Sequence, residues 1–183
     1  TSLKLRSGIG VASGSPHVIQ LDTPGPGDVS VLGVSHELMR PGIVYDALGL
    51  PGSTAVTFSH YDADALIAQL KARQPDLFVL FYGTNEAALP PAGLEQVRAA
   101  YPRIIANLRL AAPDAACLLL GPTDRMSKKK KSTQWRETES IDEVYDIVRE
   151  VAARNDCAFW ETREAMGGEG SIDRWRKVKP PLS

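Results

Sequence analysis

The chain has 183 residues, of which 43% are hydrophobic and 23% charged, a balance typical of one globular domain rather than of a disordered or fibrous protein. The 21 Lys and Arg residues nearly balance the 22 Asp and Glu residues, so the formal net charge of -1 excludes a basic field along the whole chain for gripping nucleic acid. Two cysteines are too few for a disulfide framework or, by themselves, for a zinc site. No apolar run approaches the ~18 residues of a membrane-spanning helix.

Residues 1–40 predict a β-rich segment. Three short β-like runs are separated by clusters of Gly, Ser and Pro: Leu3–Arg6, His17–Leu21 and Asp28–Leu32. Short strands punctuated by turn residues favour antiparallel structure. Because three short strands bury little apolar surface, we expect them to pack on the rest of the chain or to belong to a larger β module.

From residue 41 onward, strand and helix patterns alternate. Ile43–Leu48 predicts a short strand or an extended lead-in. Apolar residues recur at helical spacing over 62–73, and Gln74-Pro75-Asp76 predicts the end of that helix. Six consecutive apolar residues, Leu77–Tyr82, then predict a strand covered on both faces, as in parallel sheets.

The second helix is predicted over roughly 93–111, with a kink or break at Pro102. A buried strand is predicted at Ala116–Leu120.

The third helix is predicted to begin at a capping box of Ser140 and Glu143 and to run to about Arg154. Cys157–Trp160 predicts a further strand. This alternation implies βαβ units and a parallel sheet. The predicted fold is therefore a flavodoxin-like three-layer α/β/α domain over 41–183, preceded by the β-rich segment 1–40.

Ligands of open parallel sheets bind beyond the carboxyl ends of the strands, so the loops after the strands are the first candidates for a site. The loop after Leu77–Tyr82 is Gly83–Ala87, in which the Asn85 amide could donate a hydrogen bond to a developing oxyanion. From the residues alone, a tight turn satisfied by Asn85 is the simpler alternative.

Two blocks of sequence favour an oxyanion-binding role for this loop over a simple turn. Tyr82–Ala87 is similar to the third signature block of the SGNH (GDSL-type) ester hydrolases, Gly-x-Asn-Asp, with Glu86 in place of the Asp. Tyr45–Ser53 is similar to the second block of the family, with Gly52 at the position of the glycine whose N–H lines the oxyanion hole. One helix and one strand separate Gly52 from Asn85, as the family requires.

Further stretches resemble a bacterial subgroup of this family, which includes peptidoglycan and carbohydrate O-acetylesterases. They are Leu119–Asp124, Cys157–Trp160 and Ala165–Gly168, and the resemblance as a whole covers residues 41–175. It implies an SGNH fold and a serine esterase acting on O-acyl groups of a carbohydrate or of peptidoglycan.

The resemblance assigns Gly52 and Asn85 to the oxyanion hole. We also predict substrate contacts from Thr84 and Glu86, which flank Asn85. His60 is a further candidate because it follows the second block, although for His60 we favour the role of a surface polar residue. The expected partner is a small-molecule or polysaccharide ester, with no cofactor, no metal, no nucleic acid and no membrane span. The compartment stays open, with a periplasmic or secreted location as one alternative.

Two family blocks do not occur in the chain: the Gly-Asp-Ser nucleophile block and the Asp-x-x-His pair. One interpretation is a fragment, in which residues 1–40 end an inserted carbohydrate-binding-like β module and both missing blocks lie beyond the ends. The other is a complete, non-hydrolytic relative. We favour the fragment, and residue 1, which is Thr rather than Met, agrees with a processed or excised chain.

The remaining motifs give weaker evidence about function. Ser35-His36 and Ser59-His60 are the adjacent Ser–His pairs, and neither is expected to replace the missing catalytic residues. Gly8–Gly14 lacks the spacing and the following helix of a dinucleotide fingerprint. The basic loop 125–136 is a solvated loop or a cover that attracts an anionic polymer.

Two functions compete with the esterase. A glycan-binding module would use the same cleft without chemistry. A nucleotide or flavin binder is disfavoured, because no phosphate-cradling glycine loop follows a strand.

Overall fold

The computed structural model describes residues 40–127, 135–138 and 140–181. The chain divides into two compact units, residues 1–47 and residues 48–183. The strands predicted within 1–40, the glycine-rich Gly8–Gly14 and the Ser35-His36 pair therefore lie outside the described residues. The boundary predicted at residue 41 stays a prediction.

The described part of the first unit, residues 40–47, contains no helix or strand. The side chain of Ile43 is 98% exposed, and irregular backbone continues to Leu50 in the second unit. The strand considered for Ile43–Leu48 is therefore wrong. Among the described residues this apolar run has no partner strand, and an unpaired strand gains little stability.

The second unit alternates helices and strands as the sequence predicts. Its helices are α1 (Ala55–Ser59), α2 (Ala63–Arg73), α3 (Pro91–Ala111), α4 (Ile141–Arg154), α5 (Thr162–Ala165) and α6 (Ser171–Lys177), with a short 3-10 helix at Glu86–Ala88. Its strands are β1 (Leu77–Leu80), β2 (Ala116–Leu120), β3 (Met126–Ser127), β4 (Arg136–Glu137) and β5 (Ala158–Trp160).

Three strands form a parallel sheet in the order β1-β2-β5, which confirms the predicted α/β class. In the register, Leu80 lies opposite Leu119 and Leu119 lies opposite Phe159. Strands β3 and β4 form a separate antiparallel pair at the ends of the basic loop.

The two faces of the sheet differ in burial. Phe78 and Leu80 of β1 are buried in the hydrophobic core, which also contains the buried residues of α3 and α4. The alternate side chains, Leu77 and Val79, are about half exposed. The prediction that β1 is covered on both faces is therefore wrong for the described chain, since a helical layer over that second face is not among the described residues.

Helix α2 has the boundaries that the sequence predicts. Its N-terminus is capped by Asp62, whose carboxylate accepts the Ala65 N–H at 2.8 Å. Its C-terminus lies at Gln74, which adopts the left-handed conformation with φ of 49° and donates its N–H to the Leu70 carbonyl. Its apolar side packs against α3.

Helix α3 is the longest helix of the described chain, and its interior is continuous through Pro102. The expected break at this proline is therefore absent. The apolar stripe of the helix is buried along its whole length: Leu94, Val97, Tyr101, Ile104, Ile105 and Leu108. Packing on this stripe compensates for the N–H that proline cannot donate.

Helix α4 begins at Ile141 and ends at Arg154, as predicted. The capping box is not formed, because the Ser140 side chain makes no cap hydrogen bond. The Ser140 carbonyl instead accepts the Val144 N–H at 3.1 Å, within the first turn. Burial of one face holds this helix in place without the cap.

Cys117 and Cys157 form a disulfide bond, with their Cα atoms 4.7 Å apart. They lie one register step before the paired residues Leu118 and Ala158. The bond therefore joins the starts of two neighbouring parallel strands. Among the described helices, none combines the length and the hydropathy needed to cross a membrane.

Candidate active site

The loops that follow β1 and β2 meet at the carboxyl edge of the sheet. The Thr84 hydroxyl lies 2.8 Å from the Thr123 hydroxyl and accepts the Thr123 N–H at 3.1 Å. The Arg125 guanidinium donates a hydrogen bond to the Thr84 carbonyl. The loop that carries Asn85 is therefore fixed from one side by residues 123–125.

Gly83 allows this close approach. Its φ of 123° is a conformation that side chains rarely adopt, and a Cβ at this position would lie 3.0 Å from Pro122 Cβ and 3.2 Å from Val144 Cγ1. A larger residue here would push the loop away from α4. The glycine thus sets the path of the chain two residues before Asn85.

Asn85 is exposed and is joined to the segment that contains Gly52. Its Nδ2 atom donates to the Ser53 carbonyl at 3.1 Å, across 32 residues of sequence. Gly52 is also exposed, with φ of 76° and with open space where a Cβ would point. The two residues predicted for the oxyanion hole therefore lie in neighbouring loops, and the Gly52 backbone is accessible to a ligand.

Glu86 lies in the interior, and not at the surface where a contact with substrate was predicted. Its side chain is fully buried, and both carboxylate oxygens accept backbone hydrogen bonds. Oε1 accepts the Ala55 N–H at 2.6 Å and Oε2 accepts the Gly83 N–H at 2.8 Å. Glu86 therefore lies beneath the loops. The N–H dipoles at the N-terminus of α1 and after β1 stabilise its charge there.

The other two predicted substrate contacts are also bonded within the protein. The Thr84 hydroxyl is bonded to Thr123, as described above. His60 is exposed at the end of α1, where its Nδ1 atom lies 2.7 Å from the Val56 carbonyl and therefore carries the proton. Its described hydrogen bonds join it to its own helix, and none joins it to Asn85.

The adjacent pair Ser59 and His60 is not arranged as a nucleophile and its base. The Ser59 hydroxyl donates to the Val56 carbonyl at 2.8 Å, and the same carbonyl accepts the hydrogen bond from His60 Nδ1. The two side chains lie 3.4 Å apart. A base must accept the serine proton on an unprotonated nitrogen, so this geometry does not activate Ser59. The N-terminal cap of α2 is Asp62 rather than Ser59.

Aromatic side chains form the wall beside these loops. Tyr82 precedes Gly83 and stacks on Phe58 with the ring centroids 6.0 Å apart, while Phe58 makes an edge contact with Tyr61 at 5.1 Å. Partial burial raises the pKa of Tyr82, and the charges of Tyr61 and Glu86 raise it further. Tyr82 therefore stays protonated at neutral pH.

Asp124 is a buried carboxylate that the sequence did not single out. It is 2% exposed, and its Oδ2 atom accepts the Ile172 N–H at 2.9 Å and the Ser171 hydroxyl at 3.3 Å. It thereby attaches the start of α6 to the loop after β2. Its position directly after a predicted strand, at the edge where sites form, is the signal by which it could have been found.

No cluster of three or more His, Cys, Asp or Glu side chains suited to a metal ion occurs among residues 40–127, 135–138 and 140–181.

The fold and the loops define a class: a parallel α/β protein with polar loops gathered at the carboxyl ends of its strands. The sequence model described as the GDSL-like lipase/acylhydrolase family matches residues 22–178, and the chain belongs to that family. This result supports the resemblance to SGNH hydrolases. The match begins within the segment predicted as β-rich.

A solved structure described as a peptidoglycan O-acetylesterase in action is similar to this chain, with a TM-score of 0.62 and 27% sequence identity. The similarity covers 71% of this chain and 37% of that chain, so this protein spans well under half of the length of its structural relative. A comparison with curated proteins gave no match.

Proposed function

We propose that the protein is an SGNH-type ester hydrolase, in which the Gly52 N–H and the Asn85 side-chain amide hold the oxyanion. The observation that carries the proposal is the 3.1 Å hydrogen bond from Asn85 to Ser53, which joins the two loops expected to supply the donors. Membership of the acylhydrolase family supports it independently.

Stabilisation of the oxyanion depends on the N–H donors of the Asn85 side-chain amide. Attack on an ester carbonyl moves negative charge onto the carbonyl oxygen, and fixed N–H groups stabilise that charge in the transition state. The Asn85 NH₂ group has two hydrogens. One is bonded to the Ser53 carbonyl and orients the group, which leaves the second for the oxyanion beside the Gly52 N–H.

The proposed substrates are O-acyl groups of a carbohydrate, with O-acetylated peptidoglycan as the first choice. The support is the solved structure described as a peptidoglycan O-acetylesterase. The attacking serine and its His and Asp partners are proposed to lie outside these 183 residues, since their sequence blocks do not occur in the chain.

The disulfide bond supports a periplasmic or secreted location. Disulfide bonds persist in oxidising compartments and are rare where glutathione keeps thiols reduced. Cys117 and Cys157 are paired, so both cysteines of the chain are oxidised. O-acylated cell-wall glycans are also found outside the cytosol, which agrees with the proposed substrate.

The test is the Asn85→Ala variant, made in the protein encoded by the whole reading frame and assayed on p-nitrophenyl acetate and O-acetylated peptidoglycan. Loss of one oxyanion donor reduces kcat by about 100- to 1,000-fold in other hydrolases, and we expect a loss in that range. The matched control is Asn155→Ala, because the Asn155 amide also donates to a backbone carbonyl, that of Val151 at 2.8 Å, but caps α4. We expect its kcat to stay within about threefold of wild type.

Near-normal turnover by Asn85→Ala would contradict the assignment. If the wild-type protein binds saccharides but hydrolyses neither ester, the glycan-binding module is the better description. A 183-residue chain that hydrolyses p-nitrophenyl acetate and is labelled by a serine-directed inhibitor would instead contain a nucleophile that the sequence did not reveal.

A further inference from the structure

Glu86 occupies the position between the two loops that carry the proposed oxyanion donors. It follows Asn85 directly and begins the 3-10 helix that leads away from the loop. Its side chain is 0% exposed, although an ionisable residue is almost never fully buried without a specific partner. The arrangement of its partners therefore carries information about its role.

The two carboxylate oxygens bond to different loops. Oε1 accepts the N–H of Ala55, which lies three residues after Gly52, at 2.6 Å. Oε2 accepts the N–H of Gly83, which lies two residues before Asn85, at 2.8 Å. One rigid, planar group thus fixes the spacing between the Gly52 segment and the Asn85 segment.

The charge of Glu86 is matched to backbone dipoles. The two hydrogen bonds described for its carboxylate both come from backbone N–H groups. Ala55 is the first residue of α1, where unpaired N–H groups favour an anion. A carboxylate accepts at both oxygens, whereas an amide would present an NH₂ group to one of the two N–H donors.

We propose that Glu86 is a positioning residue that sets the distance between the Gly52 N–H and the Asn85 amide. The proposal rests on the proposed function, because the oxyanion forms only in the transition state of ester hydrolysis. A displaced donor weakens transition-state binding more than substrate binding. Removal of the bridge therefore lowers kcat and leaves KM nearly unchanged.

The test compares Glu86→Gln with Glu150→Gln. The control removes a partly exposed carboxylate that pairs with the side chains of Arg98 and Arg154 and has no backbone N–H partner near the site. In the protein from the whole reading frame, we expect Glu86→Gln to lower kcat by about 10- to 100-fold, because misplacement of catalytic groups by 1 Å has effects of that size. KM should change by less than about threefold, and Glu150→Gln should keep the wild-type kcat.

A second readout requires no turnover. In the 183-residue chain labelled with ¹⁵N, Glu86→Gln should accelerate amide hydrogen exchange at Ala55 and Gly83 and shift the Gly52 N–H and Asn85 side-chain signals. Glu150→Gln should leave all four signals in place. If Asn85→Ala proves fully active while these exchange rates rise, the oxyanion assignment fails and the bridge stands.

Glu86→Asp keeps the charge but shortens the side chain by one methylene, so it reaches one of the two N–H groups. It replaces Glu86→Gln if that variant does not fold, and its kcat should lie between those of Glu86→Gln and wild type. A wild-type kcat in a folded Glu86→Gln or Glu86→Asp variant overturns the proposal, and so does unchanged exchange at both Ala55 and Gly83.

Discussion

Tyr101 lies at the centre of α3 with its ring fully buried, and its hydroxyl has no hydrogen-bond partner within the described structure. A buried hydroxyl without a partner costs about 1–3 kcal/mol relative to a paired one. Burial raises the pKa of Tyr101 well above its ordinary value, and the charge of Glu86 and, at alkaline pH, that of ionised Tyr82 raise it further. The phenol is therefore held neutral in the folded state.

This residue gives the protein a specific sensitivity to alkaline pH. Above pH 10 the tyrosine of the unfolded chain releases its proton while the folded protein retains it, so the unfolded state binds fewer protons. The free energy of unfolding then falls as the pH rises from 10 toward the raised pKa, by up to about 1.4 kcal/mol per pH unit from this group. Tyr101→Phe removes that contribution.

We expect urea unfolding to show a smaller loss of stability between pH 9 and pH 11 for Tyr101→Phe than for wild type. Tyr45→Phe is the matched control, since the Tyr45 side chain is 83% exposed, and it should follow the wild-type curve. Equal slopes for wild type and Tyr101→Phe would show that Tyr101 ionises equally in both states.

At the scale of elements, Pro102 is the feature in which local propensity and observed structure disagree. It lies in the interior of a continuous 21-residue helix, and it is exposed. It has no N–H to donate to the Arg98 carbonyl, and a proline inside a helix costs about 3 kcal/mol relative to alanine. The helix persists because its other face is buried along its length.

Replacement of this proline should therefore stabilise the protein. Pro102→Ala restores one helical N–H but increases the freedom of the unfolded chain, which offsets about 0.4–1 kcal/mol. We expect a net gain of about 2 kcal/mol in the free energy of unfolding, measured as a higher urea midpoint at unchanged slope. Pro91→Ala is the control, because Pro91 is the first residue of the same helix, where proline is well accommodated. A midpoint for Pro102→Ala at or below that of wild type would contradict this account.

The competition between local propensity and packing also explains which helices and strands could be predicted from the sequence. Periodicity and stop signals predicted α2 and β2 well, because both report on one segment and its immediate neighbours. The coverage of β1 on both faces and the Ser140 cap were wrong, since each depends on which segments pack nearby. A run of apolar residues does not reveal whether one face or two will be covered.

The sequence likewise predicted some features of the candidate site and missed others. Asn85 and Gly52 were predicted from position and resemblance, and their roles stay predictions, although the structure brings their loops together. The burial of Glu86 was not predictable, because its partners are backbone N–H groups 31 and 3 residues away rather than a basic side chain with a visible charge. Backbone partners leave no trace in the sequence.

At the scale of the whole molecule, β5 is attached to the sheet by few interactions. It has three residues, β2 is its one neighbour among the described strands, and the Trp160 side chain is 56% exposed. The disulfide between Cys117 and Cys157 links its start to β2 and closes a loop with a sequence separation of 40. The bond therefore joins the C-terminal part of the unit covalently to the sheet that carries the site loops.

Loss of this bond should lower the stability of the whole unit. A loop of this size restricts the unfolded chain by about 4 kcal/mol in the chain-entropy model, and native disulfides typically contribute about 2–4 kcal/mol. For a protein of this size that corresponds to a fall in Tm of roughly 5–15 °C. We expect that fall in the double variant Cys117→Ala/Cys157→Ala and in the wild-type protein treated with a thiol-free phosphine reductant. The reductant should leave the Tm of the double variant unchanged. An unaffected Tm in reduced wild-type protein, or two reactive thiols in the unreduced, denatured protein, would contradict the bond and would remove the support it gives to a location outside the cytosol.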